Sequence, residues 1–560
     1  MRADDWIVDY LVKKGVTDVF GIPGAIILEF LYALDKRKSD ITPHLCYHEQ
    51  GAAFAACGYA QTTGKLGVAY ATRGPGFTNM ITAIADAYYD SVPTMFITAH
   101  SLVELDPEMR VLNNQEIDTV SLVKNITKKA VRIDKIEDLQ KEFDSAYKLA
   151  TTGRKGPVFI DFYSGLFSKN VQETFEQQSI EIKNIEVGKL ISDIEKRISN
   201  SKRPLILIGN GAREDGKLIK DISTKFHIPV LSSRAGQDIV PNFCNYFGFV
   251  GSRATRYSNF ILSKADLIIS VGNRMAFPVN SKSFTPIVEK TQIIRIDIDD
   301  TEFNRFIPNC TNYGIDSKIA LLALLNSNLN YQDSAEWIMV CKFLKDKLDQ
   351  YDKNTIIDNV MSIIDNYDSS SPIICDVGNH GFWITTAYSY QNASNRILYS
   401  GSFGTLGNAL PKSIGAYYAT RKPVVCFTGD QGVQFNIQEL QCIAVNQLPI
   451  TVVIVNNNSS GMIMEREIAK YGNHLVHTTT EDGYSYPNFK KIAYAFGFEY
   501  TAINGDKNHD REFVPSSKPT IVELFVDRDT ELHPRLPIGK PCQDLLPELP
   551  RELYKELDEI

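Results

Sequence analysis

Short β-branched apolar runs alternate with helical stretches along nearly the whole chain, and the alternation resets twice. The first set is "VTDVFGI", "GVAYAT", "TMFITA" and "PVFIDF"; the second is "PLILIG", "IPVLSS", "DLIISVG" and "QIIRIDI". The third is "PIICDVG", "PVVCFTGD", "ITVVIVNN" and "PTIVELFV". Such runs spaced by helices predict parallel strands with helices on both faces of each sheet. A chain of 560 residues exceeds one core at about 150 residues per domain. The reading is α/β, with three doubly wound parallel-sheet domains near 1–170, 180–340 and 350–530 and a Pro-rich tail over 531–560. Residues 169–200, charged and rich in Gln, Asn and Lys, are expected to link the first two domains. A polar helical connection over 326–370 precedes the third, and the tail is expected to wrap a surface rather than build a core.

A net charge of −8 leaves no electrostatic footprint for nucleic acid or an anionic membrane. No uncharged apolar run reaches the roughly 18 residues of a membrane span. The N-terminal "MRADDWIVDYLVKKGV" is amphipathic and lacks the apolar region of a signal peptide. The nine cysteines form no CxxC pair, and several stand inside apolar runs, so reduced buried thiols and a cytoplasmic setting are expected.

The chemistry concentrates in "VVCFTGDQGVQFNIQELQCIAVNQLPITVVIVNNNSSGM", residues 424–462. Two apolar runs each end on a polar residue, and the segment between them places Phe435, Leu440, Ile443 and Ala444 on one helix face. A right-handed strand–helix–strand unit makes the two strands parallel, with their C-terminal ends on one edge. Asp430 and Asn457 are then placed to share a small cation, and hard oxygen ligands of this kind suit Mg2+ holding phosphates. Gly429 and Gly432 let backbone N–H groups approach phosphate oxygens. A dinucleotide-binding unit or a merely capped helix fits the same pattern, although the GxGxxG spacing is absent. Near the N-terminus, Glu49 in "YHEQGAAFAACGYA" opens a helix of small residues. A carboxylate there either caps the helix or is held in a dry, tightly packed setting that favours its protonated form.

Gly-Asp followed by the Asn pair resembles the diphosphate anchor of thiamine-diphosphate enzymes. With "HEQGAAFAACGYA" and "GPGFTN" the likeness covers nearly the whole chain and points to the acetolactate synthase-like group of 2-oxo acid decarboxylases and carboligases. It implies thiamine diphosphate and Mg2+ as cofactors, with the Ser459 carbonyl as third metal ligand. Glu49 would donate a hydrogen bond to the aminopyrimidine N1′, which drives the cofactor to its reactive form. Gly74, Gly76 and Asn79 would lie beside the pyrimidine, and Gly378, Asn379 and His380 near the diphosphate. Gly404 and Leu406 would press on the cofactor, Leu406 as the apolar wedge that bends it; Gln431, Gly461 and Met462 complete that half. Gln431 stands where the family usually has glycine, and Asn458 where a glycine often follows the Asn pair. Gln115 and Lys128 match positions near the substrate entrance, although Lys128 with Lys129 reads equally as a solvated charge pair. Family members build the site between the first domain of one subunit and the third of its neighbour, which implies a homodimer or homotetramer.

In the central domain, Gly209-Asn210-Gly211 and Gly272-Asn273-Arg274 end strands in a way that suits a nucleotide, and Asp297 follows in "RIDIDDTEF". The resemblance implies FAD there; a ligand-free structural domain is the equal alternative, since "MAFPVN" replaces the usual Asp-Asp-Arg. The implied reaction is loss of carbon dioxide from a 2-oxo acid, pyruvate above all, with the acyl unit passed to a small carbonyl acceptor. Met464-Glu465-Arg466 replaces the arginine and tryptophan that read the acceptor in acetolactate synthases, so a different acceptor is expected, such as a keto sugar. The alternatives are a non-ligating decarboxylase, a flavin- or nicotinamide-dependent oxidoreductase, and a non-catalytic subunit of the same fold.

Overall fold

The computed structural model describes residues 1–101, 108–110, 113–171, 185–276, 281–329, 331, 334–391, 393–472, 474–505, 507 and 515–560. It contains three six-stranded sheets, and every strand pairing within them is parallel. The first comprises β1 (Asp18–Gly21), β2 (Thr42–Leu45), β3 (Gly67–Tyr70), β4 (Thr94–His100), β5 (Lys129–Ile133) and β6 (Val158–Tyr163), in the order β2-β1-β3-β4-β6-β5. The second comprises β7 (Pro204–Ile208), β8 (Val230–Ser232), β9 (Tyr246–Phe249), β10 (Leu267–Val271), β11 (Gln292–Asp297) and β12 (Cys310–Gly314), in the order β12-β11-β10-β7-β8-β9. The third comprises β13 (Ile373–Cys375), β14 (Ile397–Tyr399), β15 (Val424–Gly429), β16 (Ile450–Asn456), β17 (Glu499–Asn504) and β18 (Thr520–Phe525), in the order β14-β13-β15-β16-β18-β17. Central strands such as β4, β15 and β16 are buried at every position, as parallel strands covered on both faces must be.

The first and third sheets belong to one compact unit, Met1–Gln178 with Ile364–Gly381 and Asn395–Asp529. Its core runs from the Glu49–Thr63 helix to the Ala409–Thr420 helix, and residues of both meet in one apolar cluster. These two helices cross where a Cβ on Gly58 would lie 2.2 Å from the Lys412 carbonyl oxygen, and one on Gly415 would lie 1.8 Å from that of Ala55. Only glycine permits that approach.

The second unit is Ser179–Ile363 with Phe382–Ser394 and Thr530–Ile560, and it holds the second sheet. Within the expected 169–200 linker, residues 172–184 lie outside the described residues. Ile185–Ile198 is a helix that buries Leu190, Ile194 and Ile198. The tail does more than wrap a surface. It buries Cys542, Leu549 and Leu557 in a cluster with Leu205, Phe260 and Trp337, and finishes in a helix, Arg551–Glu559. The fully buried Arg256 anchors it, donating to the carbonyls of Leu545 and Pro547 at 2.7 Å while paired with buried Asp352. No helix among the described residues is long and apolar enough to cross a membrane.

Candidate active site

Strands β15 and β16 are direct neighbours, with Gly429 opposite Val455, so the polar residues that follow them emerge on one sheet edge. Asp430 is 3% exposed, and burial pushes its carboxyl up to a pKa of about 6. Its Oδ1 accepts from the Gln431 N–H at 3.0 Å, while buried Oδ2 has no well-formed hydrogen bond, and the Tyr484 hydroxyl stands beside the carboxyl. Buried Ser459 Oγ, Asn458 Oδ1 and Asn379 Oδ1 are likewise left without partners. The Ser459 hydroxyl and the amide groups of Asn457 and Asn379 crowd Gly461. A Cβ there would meet Asn457 Nδ2 at 2.5 Å, Asn379 Nδ2 at 3.4 Å and Ser459 Oγ at 3.6 Å. The His380 ring stands beside the same edge, 3.3 Å from where a Cβ on Gly429 would be and 2.5 Å from one on Gly378. Met462 follows in the first turn of the Gly461–Tyr471 helix. Buried oxygens without donors are costly unless a ligand satisfies them, and this donor set fits a metal-bound diphosphate.

The intervening segment differs from the single helix expected. It forms a 3₁₀ turn, Gly432–Asn436, and then a helix, Glu439–Val445. Leu440 and Ile443 are buried as read, but Phe435 sits in the turn and is 54% exposed. Gln431 accepts from Ser460 Oγ at 3.2 Å and so links the Asp430 loop to the segment after β16.

At the other half, Glu49 opens the first turn of its helix, and the cap itself is its neighbour. His48 is the N-cap, its Nδ1 accepting from the Gln50 N–H at 3.1 Å. The half-buried Glu49 carboxylate instead accepts from Asn79 Nδ2 at 2.9 Å, and its Oε1 lies 3.3 Å from where a Cβ on Gly76 would be. Gly74, at φ +60°, turns the chain into the Pro75–Tyr89 helix, and a Cβ there would meet the Gln115 backbone at 2.7 Å. Gln115 is therefore grouped with Gly74, exposed and itself at φ +60°. Lys128 is not. Its ammonium donates to the carbonyls of Leu149, Thr152 and Arg154, closing the C-terminal end of the Leu139–Thr151 helix, where a cation complements the exposed carbonyls.

Two buried carboxylates went unnoticed in the sequence. Asp376, 1% exposed and pushed by burial to a pKa of about 6, accepts from the N–H groups of Val377 and Gly407, from Asn408 Nδ2 and from Thr428 Oγ1. It fixes the end of the Gly404–Leu406 loop to β13 and β15. Glu439 accepts from the Tyr47 and His48 N–H groups at 3.1 and 2.9 Å, gripping the chain just before Glu49. The only signal for Asp376 was a carboxylate closing an apolar run, "IICD", and Glu439 showed none.

In the second unit, β7, β10 and β11 are neighbours and bring Gly209, Asn210, Gly211, Gly272, Arg274 and Asp297 to one edge. The glycines serve the packing of two loops: the Gly211 N–H donates to the Gly272 carbonyl at 3.0 Å, and a Cβ on Gly209 would lie 2.2 Å from that oxygen. Asn210 Oδ1 accepts from Arg213, Asp297 Oδ1 from the Asp299 N–H, and the Arg274 carbonyl from Arg295. Residues 277–280 of "MAFPVN" lie outside the described residues. Among the described residues, these polar groups make the protein contacts just named.

Three family models match the chain: thiamine pyrophosphate enzyme, N-terminal TPP binding domain, over residues 1–122; the central domain over 191–324; and the C-terminal TPP binding domain over 376–523. The acetolactate synthase large subunit of Lactococcus lactis subsp. lactis is 30% identical, with 96% of this chain and 95% of that protein covered. The acetolactate synthase isozyme 1 large subunit of Escherichia coli K12 is also 30% identical, with 96% of each covered. The acetolactate synthase large subunit of Porphyra purpurea is 31% identical over 95% of this chain and 93% of its own. The chain belongs to the thiamine-diphosphate-dependent enzymes of the acetolactate synthase-like family, which carry out decarboxylation or carboligation.

Proposed function

We propose that this enzyme decarboxylates a 2-oxo acid, pyruvate in the first instance, and passes the acyl unit to a carbonyl acceptor. The observation that supports the reading is the set of buried oxygens without hydrogen bonds at the ends of β15 and β16, Asp430 Oδ2, Asn458 Oδ1 and Ser459 Oγ. There Asp430, Asn457 and Ser459 would hold Mg2+, and the N–H groups after Gly429 and Gly432, with His380 and Asn379, would receive the diphosphate. Thiamine diphosphate, when bound, supplies the nucleophilic carbon and the electron sink for decarboxylation. The chain's own task at Glu49 is to hold a proton on a carboxyl oriented by Asn79, so that it can be shared with a ring nitrogen. Gly74, Gly76 and Gln115 line its approach, and Leu406 offers the apolar surface opposite.

The acceptor is proposed to differ from a second 2-oxo acid. Met464 is buried, and the Glu465 carboxylate accepts from Asn379 Nδ2 at 2.9 Å, which puts negative charge beside the anchor. A keto sugar fits that exclusion better than a 2-oxo acid carboxylate does. The working form is proposed to be a homodimer or larger: Phe403, Phe435 and Ile463 are 43, 54 and 48% exposed around the site of the single chain.

Incubation with pyruvate and candidate acceptors, followed by mass spectrometry, tests the reaction. Glu49→Gln is expected to retain cofactor and to lose decarboxylation by about a hundredfold or more; full activity in that variant sinks the assignment. Acetaldehyde as sole product would establish the non-ligating alternative instead.

A further inference from the structure

We propose that the buried Asp86–Lys412 pair is a positioning device for the Ser400–Leu406 loop and so sets where Leu406 stands. The proposal rests on the reading of that loop as part of the cofactor site. Asp86 and Lys412 are both 0% exposed, with Nζ 2.9 Å from Oδ2. A buried ion pair is a poor way to gain stability, since well-packed apolar residues do as well or better. What the charge does here is visible in the second carboxylate oxygen. Asp86 Oδ1 accepts from Ser400 Oγ and, at 2.8 Å, from Thr405 Oγ1. Ser400 Oγ in turn accepts from the N–H groups of Gly404 and Thr405 at 2.9 and 3.0 Å. One turn further along the same helix, Asp90 accepts from the N–H groups of Gly401 and Ser402 at 2.7 and 2.8 Å. One carboxylate in the Pro75–Tyr89 helix, Asp86, and one at its C-cap, Asp90, thus fix the loop from Ser400 to Thr405, immediately before Leu406.

Lys412 makes this arrangement tenable. Without it, Asp86 would be an uncompensated buried charge, and protonation would turn one of its oxygens from acceptor into donor. Lys412 stands in the Ala409–Thr420 helix that the loop leads into, so the pair ties the loop at its exit as well. Its ammonium also lies 5.6 Å from the centre of the Phe54 ring, in the helix that Glu49 opens. Near its other end the Pro75–Tyr89 helix presents Asn79 to Glu49. Asn79 and Asp86 are seven residues apart, a rise of roughly 10 Å, so one rigid element places both the acid's partner and the loop.

The test measures thiamine diphosphate affinity of the apoprotein by calorimetry in excess Mg2+, together with apoprotein thermal midpoints. Ser400→Ala and Thr405→Val delete only the loop hydroxyls and leave the pair intact. Each is expected to weaken binding about tenfold while the apoprotein, with a slightly lower midpoint, stays fully folded at the assay temperature. The neutral double variant Asp86→Asn with Lys412→Met, which keeps the volume and removes the charge, is expected to fold and to bind at least tenfold more weakly. Wild-type affinity in the hydroxyl deletions or in the double variant overturns the proposal. Asp430→Ala separates the two levels: if it binds cofactor normally, the reading of the site fails, whereas loss in Asp430→Ala with wild-type affinity in the loop variants refutes the positioning device alone.

Discussion

Glu439 shows what a single carboxylate does between distant segments of the chain. Fully buried, it is pushed by burial to a pKa of about 7, although the Tyr47 and His48 N–H groups pull the other way. The folded state therefore binds this proton more tightly than the unfolded chain, whose ordinary value is 4.5. Its stabilising contribution is complete below about pH 4.5 and is lost as pH rises to about 7, a change on the order of 3 kcal/mol. Glu439→Gln keeps an acceptor for the two N–H groups and should flatten that part of the stability profile, measured by urea denaturation at stepped pH. An unchanged slope between pH 5 and 7 would assign the titration elsewhere, with Asp376 and Asp430 the next groups of the same sign. The residue scale is also where the sequence was least decisive. Which side chain caps the helix could not be read from the position of Glu49, because the cap is the His48 ring beside it. In one dimension Lys128 reads as a substrate-entrance residue or as half of a solvated pair with Lys129, and only the fold reveals the helix end that it closes.

Among the elements, legibility follows burial. In each sheet the four interior strands stand out as apolar runs, and the two that do not are the edges: β2 and β5, β9 and β12, β14 and β17. An edge strand has one neighbour and water on its flank, so "TPHL", "CTNYG" and "EYTAIN" need no continuous apolar character. The parallel, adjacent course of β15 and β16 was legible because the strand–helix–strand rule leaves little choice. Phe435 escaped because the run after Asp430 breaks into a tight turn before the helix begins. The crossing of the Glu49–Thr63 and Ala409–Thr420 helices depends on glycines that carry no such signal. Gly415→Ala is expected to push these helices apart and cost about 3 kcal/mol, read as a lower urea midpoint with an unchanged m-value. A cost below about 1 kcal/mol would mean that the crossing relaxes readily.

At the scale of the molecule, the expected species in solution is at least a pair of 62.8 kDa chains, and light scattering of the apoprotein and the cofactor-loaded enzyme decides it. A monomer that turns over pyruvate would contradict the shared-site reading. The tail was legible as proline-rich but not as core, because its buried residues are spaced irregularly and its anchor, Arg256, lies far back in the chain. Arg256→Met should free the tail to proteases while leaving the first unit folded.

The way the two units are threaded has a consequence for biosynthesis. The first needs residues 364–381 and 395–529 to complete what 1–178 begin, and the second needs Cys542, Leu549 and Leu557 to close a cluster begun at Leu205. Domains ordinarily fold in turn as they leave the ribosome. Here neither can close while its early part waits, so the nascent chain carries two unfinished apolar surfaces until its final third has emerged. Chains stalled near residue 530 should therefore recruit chaperones over the second unit, whereas the released chain should not.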